Sequence, residues 1–295
     1  MERESIIEAV MREIAEYVEN KYRNSKVKII EYPGGDYFIF SDLNKVFTRA
    51  PGVKVFVEVF GGSCWSSLNV PRWKFKVIVC NDIDADLINL YRVIRDSPDE
   101  LIKKLSILPF SRELREIALE ILGDKNTDLV TKSVMLFYAL RASFHGFLTK
   151  RDGLAVSKTR SLAHAYSTAV ASIAEYAKKF RDVVLECKDY RDVIKLYDSD
   201  TTLFYLDPPH VSTSQTHDRE GFYRYNFTLS NLKLMARTLR DVRGKWVLKI
   251  TRDNYELIRN DLPKHNKVEL EKTKFMAKVE DEERPKYTLI LAFNY

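Results

Sequence analysis

The chain has 295 residues, of which 45% are hydrophobic and 31% charged, and its formal net charge is +6 at pH 7. This length and apolar fraction are typical of one large globular α/β domain, or of such a domain with an insertion. No apolar run approaches membrane-spanning length, and Cys64, Cys80 and Cys187 lack the spacing of a metal site. We therefore expect a cytoplasmic protein with reduced, buried thiols, no metal and no membrane association.

The first part of the chain has the order of a nucleotide-binding α/β half. Alternating β-branched and aromatic residues from Lys54 predict a buried strand that runs into the double glycine Gly61-Gly62. A second strand ends just before Asp82, and a helix follows for which Asp84 is the expected N-cap. Strand, glycine turn, strand, acid and helix in this order indicate a ligand-binding edge of a parallel sheet.

The middle of the chain interrupts this alternation. Three helices are predicted there, at residues 111–121, 128–142 and 162–180. Residues 143–160, between the last two helices, have the composition of an exposed, hairpin-like loop. Nine Lys or Arg and three Asp or Glu lie between Asp128 and Arg181, an excess of +6. Such a confined positive excess indicates a polyanion-binding insertion, although a solvated helical face is the alternative.

The most informative segment is the apolar strand that stops at Asp-Pro-Pro-His, residues 207–210. Consecutive prolines force the backbone out of the sheet, which leaves Asp207 at the carboxyl end of the strand, where open α/β sheets bind ligands. The Asp207 carboxylate and the Pro208 carbonyl are two acceptors that fit one NH2 group. His210 offers a ring on which a planar base can stack, and an ordinary Asp-Pro turn is the alternative.

The remaining strands complete a doubly wound, mostly parallel sheet. They are predicted near residues 182–186, 246–250, 267–274 and 287–293, and helices alternate with them. The last strands are expected to pair antiparallel.

Spacing and position suggest which residues of this sheet contact a cofactor. Asp82 lies 21 residues after Gly61, close to the spacing of about 20 at which an acid meets a ribose in dinucleotide folds. The glycine loop does not continue as G-x-G-x-x-G, so a nicotinamide dinucleotide is disfavoured. Glu58, at the end of the first strand, and Asp189 and Tyr190, after the third, are further candidates by position.

Four segments, in order, resemble the Dam-like, alpha-group DNA adenine N6-methyltransferases, which use S-adenosylmethionine. They are Tyr-Pro-Gly-Gly-Asp (32–36), Phe-Val-Glu-Val-Phe-Gly-Gly (56–62), Asn-Asp-Ile-Asp-Ala-Asp-Leu-Ile-Asn-Leu-Tyr (81–91) and Asp-Pro-Pro-His (207–210). The resemblance covers nearly the whole chain. It implies a Rossmann-like α/β fold with a first catalytic part (1–96), an inserted helical target-recognition subdomain (97–180) and a second catalytic part (181–295).

The resemblance also implies a function and a set of site residues. The expected activity is methylation of the adenine N6 amine in double-stranded DNA after base flipping, by a protein for which a monomer is favoured and a cognate restriction endonuclease is an allowed partner. The expected catalytic residues are Asp207, Pro208, Pro209 and His210. The expected cofactor contacts are Tyr32, Asp36, Glu58, Phe60, Gly61, Gly62, Asp82, Ile83, Asp189, Tyr190 and Asp207. Lys150, Arg151, Lys158 and Arg160 are expected to contact phosphates, and Arg141 and His145 to read bases.

The sequence departs from the family pattern at three positions. Asp36 stands where a lysine is usual, Tyr32 where tryptophan is frequent, and His210 where tyrosine or phenylalanine closes the catalytic tetrapeptide. A lysine contact therefore cannot be carried over to position 36, and a smaller ring at position 210 predicts weaker stacking and reduced activity. Two alternatives stay open: a cytosine N4 methyltransferase acting on DNA or RNA, and a catalytically impaired DNA-binding relative.

Overall fold

A computed structural model describes residues 28–146, 148, 153–211, 225, 227–273 and 286–295. These residues form one seven-stranded sheet, made of β1 (Val55–Glu58), β2 (Val77–Asn81), β3 (Val184–Glu186), β4 (Thr202–Leu206), β5 (Lys245–Thr251), β6 (Asn266–Thr273) and β7 (Lys286–Phe293). The strand order is β3-β2-β1-β4-β5-β7-β6. The first five strands in this order, β3, β2, β1, β4 and β5, are parallel, while β7 runs antiparallel to both β5 and β6. The doubly wound sheet with antiparallel last strands is confirmed.

Helices cover both faces of this sheet. The described residues contain α1 (Phe40–Arg49), α2 (Trp65–Asn69), α3 (Ala85–Asp96), α4 (Pro98–Ser106), α5 (Arg112–Gly123), α6 (Leu129–Ala142), α7 (Leu162–Ala171), α8 (Ile173–Phe180), α9 (Tyr190–Tyr197), α10 (Leu229–Thr238) and α11 (Arg252–Ile258), with 3-10 turns at Asp36–Phe38 and Phe144–Gly146. No helix in these ranges has the length and apolar character needed to cross a bilayer.

The sheet positions its polar residues through strand order. The order reverses between β1 and β4, and a crevice opens at the carboxyl ends of the strands at such a switch point. Glu58 pairs with Tyr205 in the parallel register of β1 and β4. Every residue of β4 is buried, so this strand is fixed from both faces and Asp207 emerges directly above it. The chain turns that follow β1, β2 and β4 therefore meet at one edge.

The helical insertion differs from the prediction in two places. Helix α4 was not predicted, although Pro98 at its start and acids in its first turn are regular helix-start signals. The predicted helix 162–180 is broken at Ser172, whose side-chain hydroxyl donates to the Thr168 carbonyl, a contact that bends helices. The loop between α6 and α7 closes through a Ser143–Leu154 bridge, as expected of a hairpin-like segment.

Helices α3 to α8 share one hydrophobic core with a face of the sheet. Leu136, Phe137 and Leu140 of α6 are buried in that core. The subdomain boundaries at residues 97 and 180 stay a prediction.

The prediction for the cysteines is wrong. Cys64 and Cys80 form a disulfide with a Cα–Cα distance of 6.0 Å, and Cys187 is exposed. Neighbouring parallel strands cause this pairing, because the loop after β1 lies beside the end of β2. The sequence separation of 16 residues does not reveal that proximity.

Candidate active site

One pocket opens at the carboxyl ends of β1, β2 and β4. All predicted catalytic and cofactor residues line it: Tyr32, Asp36, Glu58, Phe60, Gly61, Gly62, Asp82, Ile83, Asp189, Tyr190, Asp207, Pro208, Pro209 and His210. Leu136 and Leu140 of α6 also line it, so the helical insertion forms one wall. The structure therefore brings these residues together, while their individual roles stay predictions.

The glycine loop is packed too tightly for any side chain. A Cβ at Gly61 would lie 2.5 Å from the Cys80 sulfur. At Gly62, which has a φ of +47°, a Cβ would lie 2.7 Å from the ring of Tyr32. At Gly61 the close approach of β2 excludes a Cβ, and at Gly62 the positive φ and the Tyr32 ring both favour glycine. Main-chain atoms of both residues therefore line the pocket.

Asp82 is held by the backbone around it. Its two carboxylate oxygens accept from the Gly62 amide at 2.8 Å and from the Asp84 amide at 2.9 Å. Burial raises the pKa of Asp82 to about 6, although these backbone donors counteract the effect. Each carboxylate oxygen has a second lone pair, so Asp82 can still accept from ribose hydroxyls. The predicted N-cap Asp84 is confirmed, since its side chain accepts from the first amides of α3.

Sequence reasoning missed Asn81, the last residue of β2. Its side chain donates to the carbonyls of Val59 and Lys188 and accepts from the Lys188 amide. It thereby ties the turns after β1 and β3 to the end of β2. A buried asparagine at the end of an apolar strand was the available signal, because such a side chain must find partners.

Aromatic rings form a second wall of the pocket. Phe60 stacks on Tyr190 with ring centroids 5.7 Å apart, and Phe227 packs edge-on against both. The Tyr190 hydroxyl is buried and makes no hydrogen bond within the described residues. Asp189 caps α9 and pairs with Arg191 at 2.8 Å, so its carboxylate already has partners. The unpaired hydroxyl in an aromatic wall is the feature that best fits a purine-containing ligand.

A buried acid–lysine cluster occupies the other side of the pocket. The Lys249 ammonium lies 2.6 Å from Asp207 Oδ2 and 2.7 Å from Asp36 Oδ1, and it donates to the Gly34 carbonyl at 2.9 Å. Asp36 also accepts from the hydroxyls of Ser66 and Tyr205. Position 36 thus has no lysine, yet β5 supplies one to the site.

The charges of this cluster explain its pKa shifts. Burial raises the pKa of Asp207 to about 7, while Lys249 opposes the rise. Burial and the neighbouring Asp36 raise the pKa of Glu58 to about 8. Burial lowers the pKa of Lys249, but Asp207 and Asp36 outweigh it and raise this pKa above its usual range. These directions favour a charged Lys249 and a protonated Glu58 at neutral pH, while burial and Lys249 act on Asp207 in opposite directions.

The signal for Lys249 was present in the sequence. The strand Lys-Trp-Val-Leu-Lys-Ile-Thr (245–251) is apolar except for the lysine at its centre and the residues at its ends. A lysine in the middle of a fully buried strand requires an acidic partner, because an unpaired buried charge is very costly. The sequence does not reveal which acids provide it.

The predicted DNA contacts separate into three groups. Lys158 and Arg160 are exposed, as a phosphate contact requires. Arg141 is only 8% exposed, and it donates to the Lys28 and Ala165 carbonyls and pairs with Glu31, so its guanidinium already has protein partners and base reading by Arg141 stays a prediction.

For the other three predicted DNA contacts, the structure describes no side chain. Lys150 and Arg151 lie outside the described residues. His145 belongs to the 3-10 turn Phe144–Gly146, and its side chain is not among those described.

One group of side chains in the described ranges has the composition of a metal site. Glu58, Cys64 and Cys80 have ligand-type atoms within 4.8 Å of one another. The disulfide uses both sulfurs, so neither is available as a thiolate ligand. These residues do not fit a metal ion while the disulfide is intact.

The geometry agrees with comparisons to known proteins. Residues 32–279 match the family model of the D12 class N6 adenine-specific DNA methyltransferases. A protein named DNA adenine methylase from Haemophilus influenzae is 19% identical over 231 residues, covering 77% of this chain and 79% of the relative. Proteins of the same name from Escherichia coli K12 (24%) and Vibrio cholerae (25%) each align over 213 residues, 70% of this chain and 73% of the relative.

The match to the family model includes the glycine loop, Asp82 and the Asp207–His210 segment, which are the parts that meet in the pocket. It spans most of the chain, and the methyl donor that the family implies is S-adenosylmethionine. The chain therefore belongs to the D12 class N6 adenine-specific DNA methyltransferase family, and it is an adenine-specific DNA methyltransferase.

Proposed function

We propose that this protein transfers a methyl group from S-adenosylmethionine to the N6 amine of an adenine that has been flipped out of double-stranded DNA. The observation that carries the proposal is the position of Asp207 and Pro208. They lie at the carboxyl end of β4, in the same pocket as the glycine loop and Asp82. Acceptors for an amine therefore face the residues expected to hold the methyl donor.

The described residues fit this cofactor. Gly61 and Gly62 line the pocket with main-chain atoms only, and this is the surface against which the methionine end is expected to lie. Asp82 has lone pairs for the ribose, and Phe60 and Tyr190 offer an aromatic wall with one unpaired hydroxyl for the adenine ring. When bound, S-adenosylmethionine supplies an electrophilic methyl group on a sulfonium centre.

The buried charges also suit a cationic ligand. With Glu58 protonated, the cluster of Asp36, Asp207 and Lys249 carries a net charge of −1 when both aspartates are ionised. A sulfonium is positively charged, and the attraction is strong because the cluster is shielded from water. Transfer of the methyl group neutralises the sulfonium and removes this attraction.

Asp207 and Pro208 act on the amine rather than on the methyl group. The adenine N6 lone pair is delocalised into the ring, so the amine is a weak nucleophile. If one N–H donates to the Asp207 carboxylate and the other to the Pro208 carbonyl, the nitrogen is held in the pyramidal geometry in which its lone pair is available. Asp207, with a pKa near 7, can then accept the proton that the methylated amine releases.

Positioning supplies much of the rate in this mechanism. Holding two reactants in line can lower a barrier by roughly 7 to 11 kcal/mol in favourable cases. Extrusion of the base costs a few kcal/mol, which stacking on His210 and hydrogen bonds in the pocket offset. Lys158 and Arg160 are our choices for phosphate contacts that orient the duplex.

Several finer expectations stay predictions. They are the monomeric state, a cognate restriction endonuclease and the cytoplasmic location. The catalytically impaired relative is the alternative that a turnover measurement decides, and a cytosine N4 acceptor is the alternative that product analysis decides.

The test is nucleoside analysis of mixed-sequence duplex DNA after incubation with tritiated S-adenosylmethionine. We expect label in N6-methyldeoxyadenosine only, in several turnovers per enzyme molecule. Label in N4-methyldeoxycytidine would contradict the acceptor, and absence of label despite DNA binding would identify an impaired relative.

A further inference from the structure

The Lys249 ammonium has a fully determined environment. The side chain is 3% exposed, and its three donors reach three oxygens, those of Asp36, Asp207 and Gly34, at 2.6 to 2.9 Å. An ammonium group has three N–H donors and no acceptor, so each donor is used. Lysine normally has a mobile four-carbon stem, but here its position is set by the groups around it.

Asp36, which accepts from Lys249, is itself held by further hydrogen bonds. Asp36 is 4% exposed, and it receives the Tyr205 hydroxyl at 2.9 Å and the Ser66 hydroxyl at 2.7 Å. These donors come from β4 and α2, while Lys249 comes from β5. Asp36 therefore holds the ammonium in one place relative to three elements of the fold.

The two carboxylate oxygens of Asp207 have different partners in this arrangement. Oδ2 is taken by Lys249, whereas we find no hydrogen bond to Oδ1 within the described part of the chain. The Asp207 side chain is 19% exposed and lines the pocket. An amine needs one acceptor for each hydrogen, and Oδ1 with the Pro208 carbonyl makes that pair.

Burial and the Asp36 carboxylate favour the protonated form of Asp207, and Lys249 opposes them. The other titratable groups that face Asp207 are Glu58 and the phenols of Tyr205 and Tyr287, whose pKa values are raised so that they are uncharged at neutral pH. A carboxyl group that lies near other acids and away from water takes up a proton more readily. A protonated Asp207 could turn its O–H toward the amine, and that uncharged oxygen is a weaker acceptor for an N–H than a carboxylate oxygen.

We propose that Lys249, fixed by Asp36, is a positioning residue for methyl transfer: it keeps Asp207 ionised and turns Oδ1 toward the target amine. This inference rests on the proposed function of Asp207. It assigns to a residue of β5 a role that lies outside the Asp-Pro-Pro-His segment. Two neighbours of Asp207 then act on its pKa in opposite directions, since Lys249 lowers it and Asp36 raises it.

That opposition gives a test. In Lys249→Met the cation is removed, and in Asp36→Asn the competing negative charge is removed while an oxygen that can accept from Lys249 is kept. The readout is the single-turnover rate of methyl transfer to duplex DNA from pH 6 to 9, with saturating S-adenosylmethionine. Lys245→Met, four residues earlier on β5, and Asp42→Asn on α1 are the matched controls.

We expect the acid limb of the pH profile to move to higher pH in Lys249→Met and to lower pH in Asp36→Asn. At a given pH on the acid limb, raising the pKa by one unit lowers the rate about tenfold, and lowering the pKa by one unit raises the rate about tenfold. The Lys249→Met rate at pH 7 should fall by at least about tenfold, with cofactor affinity changed much less. Both controls should keep the wild-type profile.

Lost packing alone would not move the two limbs in opposite directions. If Lys249→Met does not fold, Asp36→Asn decides, because a limb that stays in place or moves upward contradicts the inference. Unchanged profiles in both variants, with Asp207→Ala inactive, would overturn the role of Lys249 alone. If Asp207→Ala keeps its activity, the proposed function itself fails.

Discussion

Two aspartates at strand ends face the same pocket and are held in different ways. Asp82, after β2, accepts from the backbone amides of Gly62 and Asp84. Asp207, after β4, is paired with the side chain of Lys249. Burial raises the pKa of both carboxyl groups, to about 6 for Asp82 and about 7 for Asp207.

This difference divides the site into a cofactor half around Asp82, which is held by backbone amides, and a reaction half around Asp207, which is held by a side chain from another strand. Backbone donors remain whatever side chains surround them, so the Asp82 half depends mainly on the path of the chain. The Asp207 half depends on a charge supplied by another strand, and a buried charge pair responds strongly to loss of one partner. We therefore expect the reaction half to be more sensitive to substitution and to pH than the cofactor half.

Substitution of Asp207 should have the largest effect and would sharpen this contrast. We expect Asp207→Ala to lower the methyl-transfer rate by about 10²- to 10³-fold or more, because the amine loses a charged acceptor in the transition state. Cofactor affinity measured by calorimetry should fall much less than the rate, although the loss of one negative charge near the sulfonium weakens binding. Asp200→Ala, at a position 76% exposed before β4, is the control and should keep full activity.

Asp82→Ala should act on binding instead of on the reaction. We expect the Kd for S-adenosylmethionine to rise by about ten- to a hundredfold, the usual range for losing a hydrogen bond to a charged group. The single-turnover rate at saturating cofactor should stay within a few-fold of wild type. A rate loss as large as that of Asp207→Ala would break the division between the two halves.

We expect the helical insertion to provide a third kind of contact, with phosphates at the surface. Replacement of both Lys158 and Arg160 by alanine should lower DNA affinity and reduce the slope of log K against log salt by about two, one for each lost contact. The measurement is DNA binding by fluorescence anisotropy at several salt concentrations. Lys178→Ala with Arg181→Ala, beyond the loop, is the matched double variant, and an equal loss in that variant would refute the assignment.

The ring at position 210 should have a smaller effect within the reaction half. His210→Tyr provides a larger uncharged face for stacking, so we expect turnover to stay the same or to rise about two- to tenfold. The comparison is kcat at saturating DNA and cofactor. Complete loss of turnover would mean that the imidazole has a role other than stacking.

Glu58 offers the mildest test, on stability. Its pKa is raised to about 8, so the protonated form stabilises the folded state and this contribution is lost as the pH rises through about 8. Glu58→Gln cannot ionise and keeps an oxygen for the Ser67 amide, which now donates to Glu58 at 2.7 Å. Wild type loses stability between the unfolded pKa of about 4.5 and the folded pKa of about 8, so the Tm advantage of Glu58→Gln should widen across that range and level off above it. A constant difference from pH 5 to 8 would show that the pKa of Glu58 is not raised in the folded protein.

Local patterns predicted the parts of the molecule that depend on neighbours in sequence. Strand periodicity, the double glycine, the Asp84 cap and the Asp-Pro-Pro-His turn are each set within a few residues, and the doubly wound, mostly parallel sheet class followed from the alternation of strands and helices. The Lys249–Asp36 pair spans 213 positions, so only the fold could reveal it. The interior position of Arg141 was missed because its partners, Glu31 and two backbone carbonyls, are also distant in sequence.

Because of the Cys64–Cys80 disulfide, samples of this enzyme with the same sequence can differ in their redox state. The disulfide joins the residue after the glycine loop to the residue before Asn81, and the Gly61 amide donates to the Asn81 carbonyl beside it. A preparation in which this bond is reduced would retain that amide contact and lose the covalent tether. Oxidised and reduced batches are thus distinct reagents, and cofactor affinities compare meaningfully only when the thiol state of each is known.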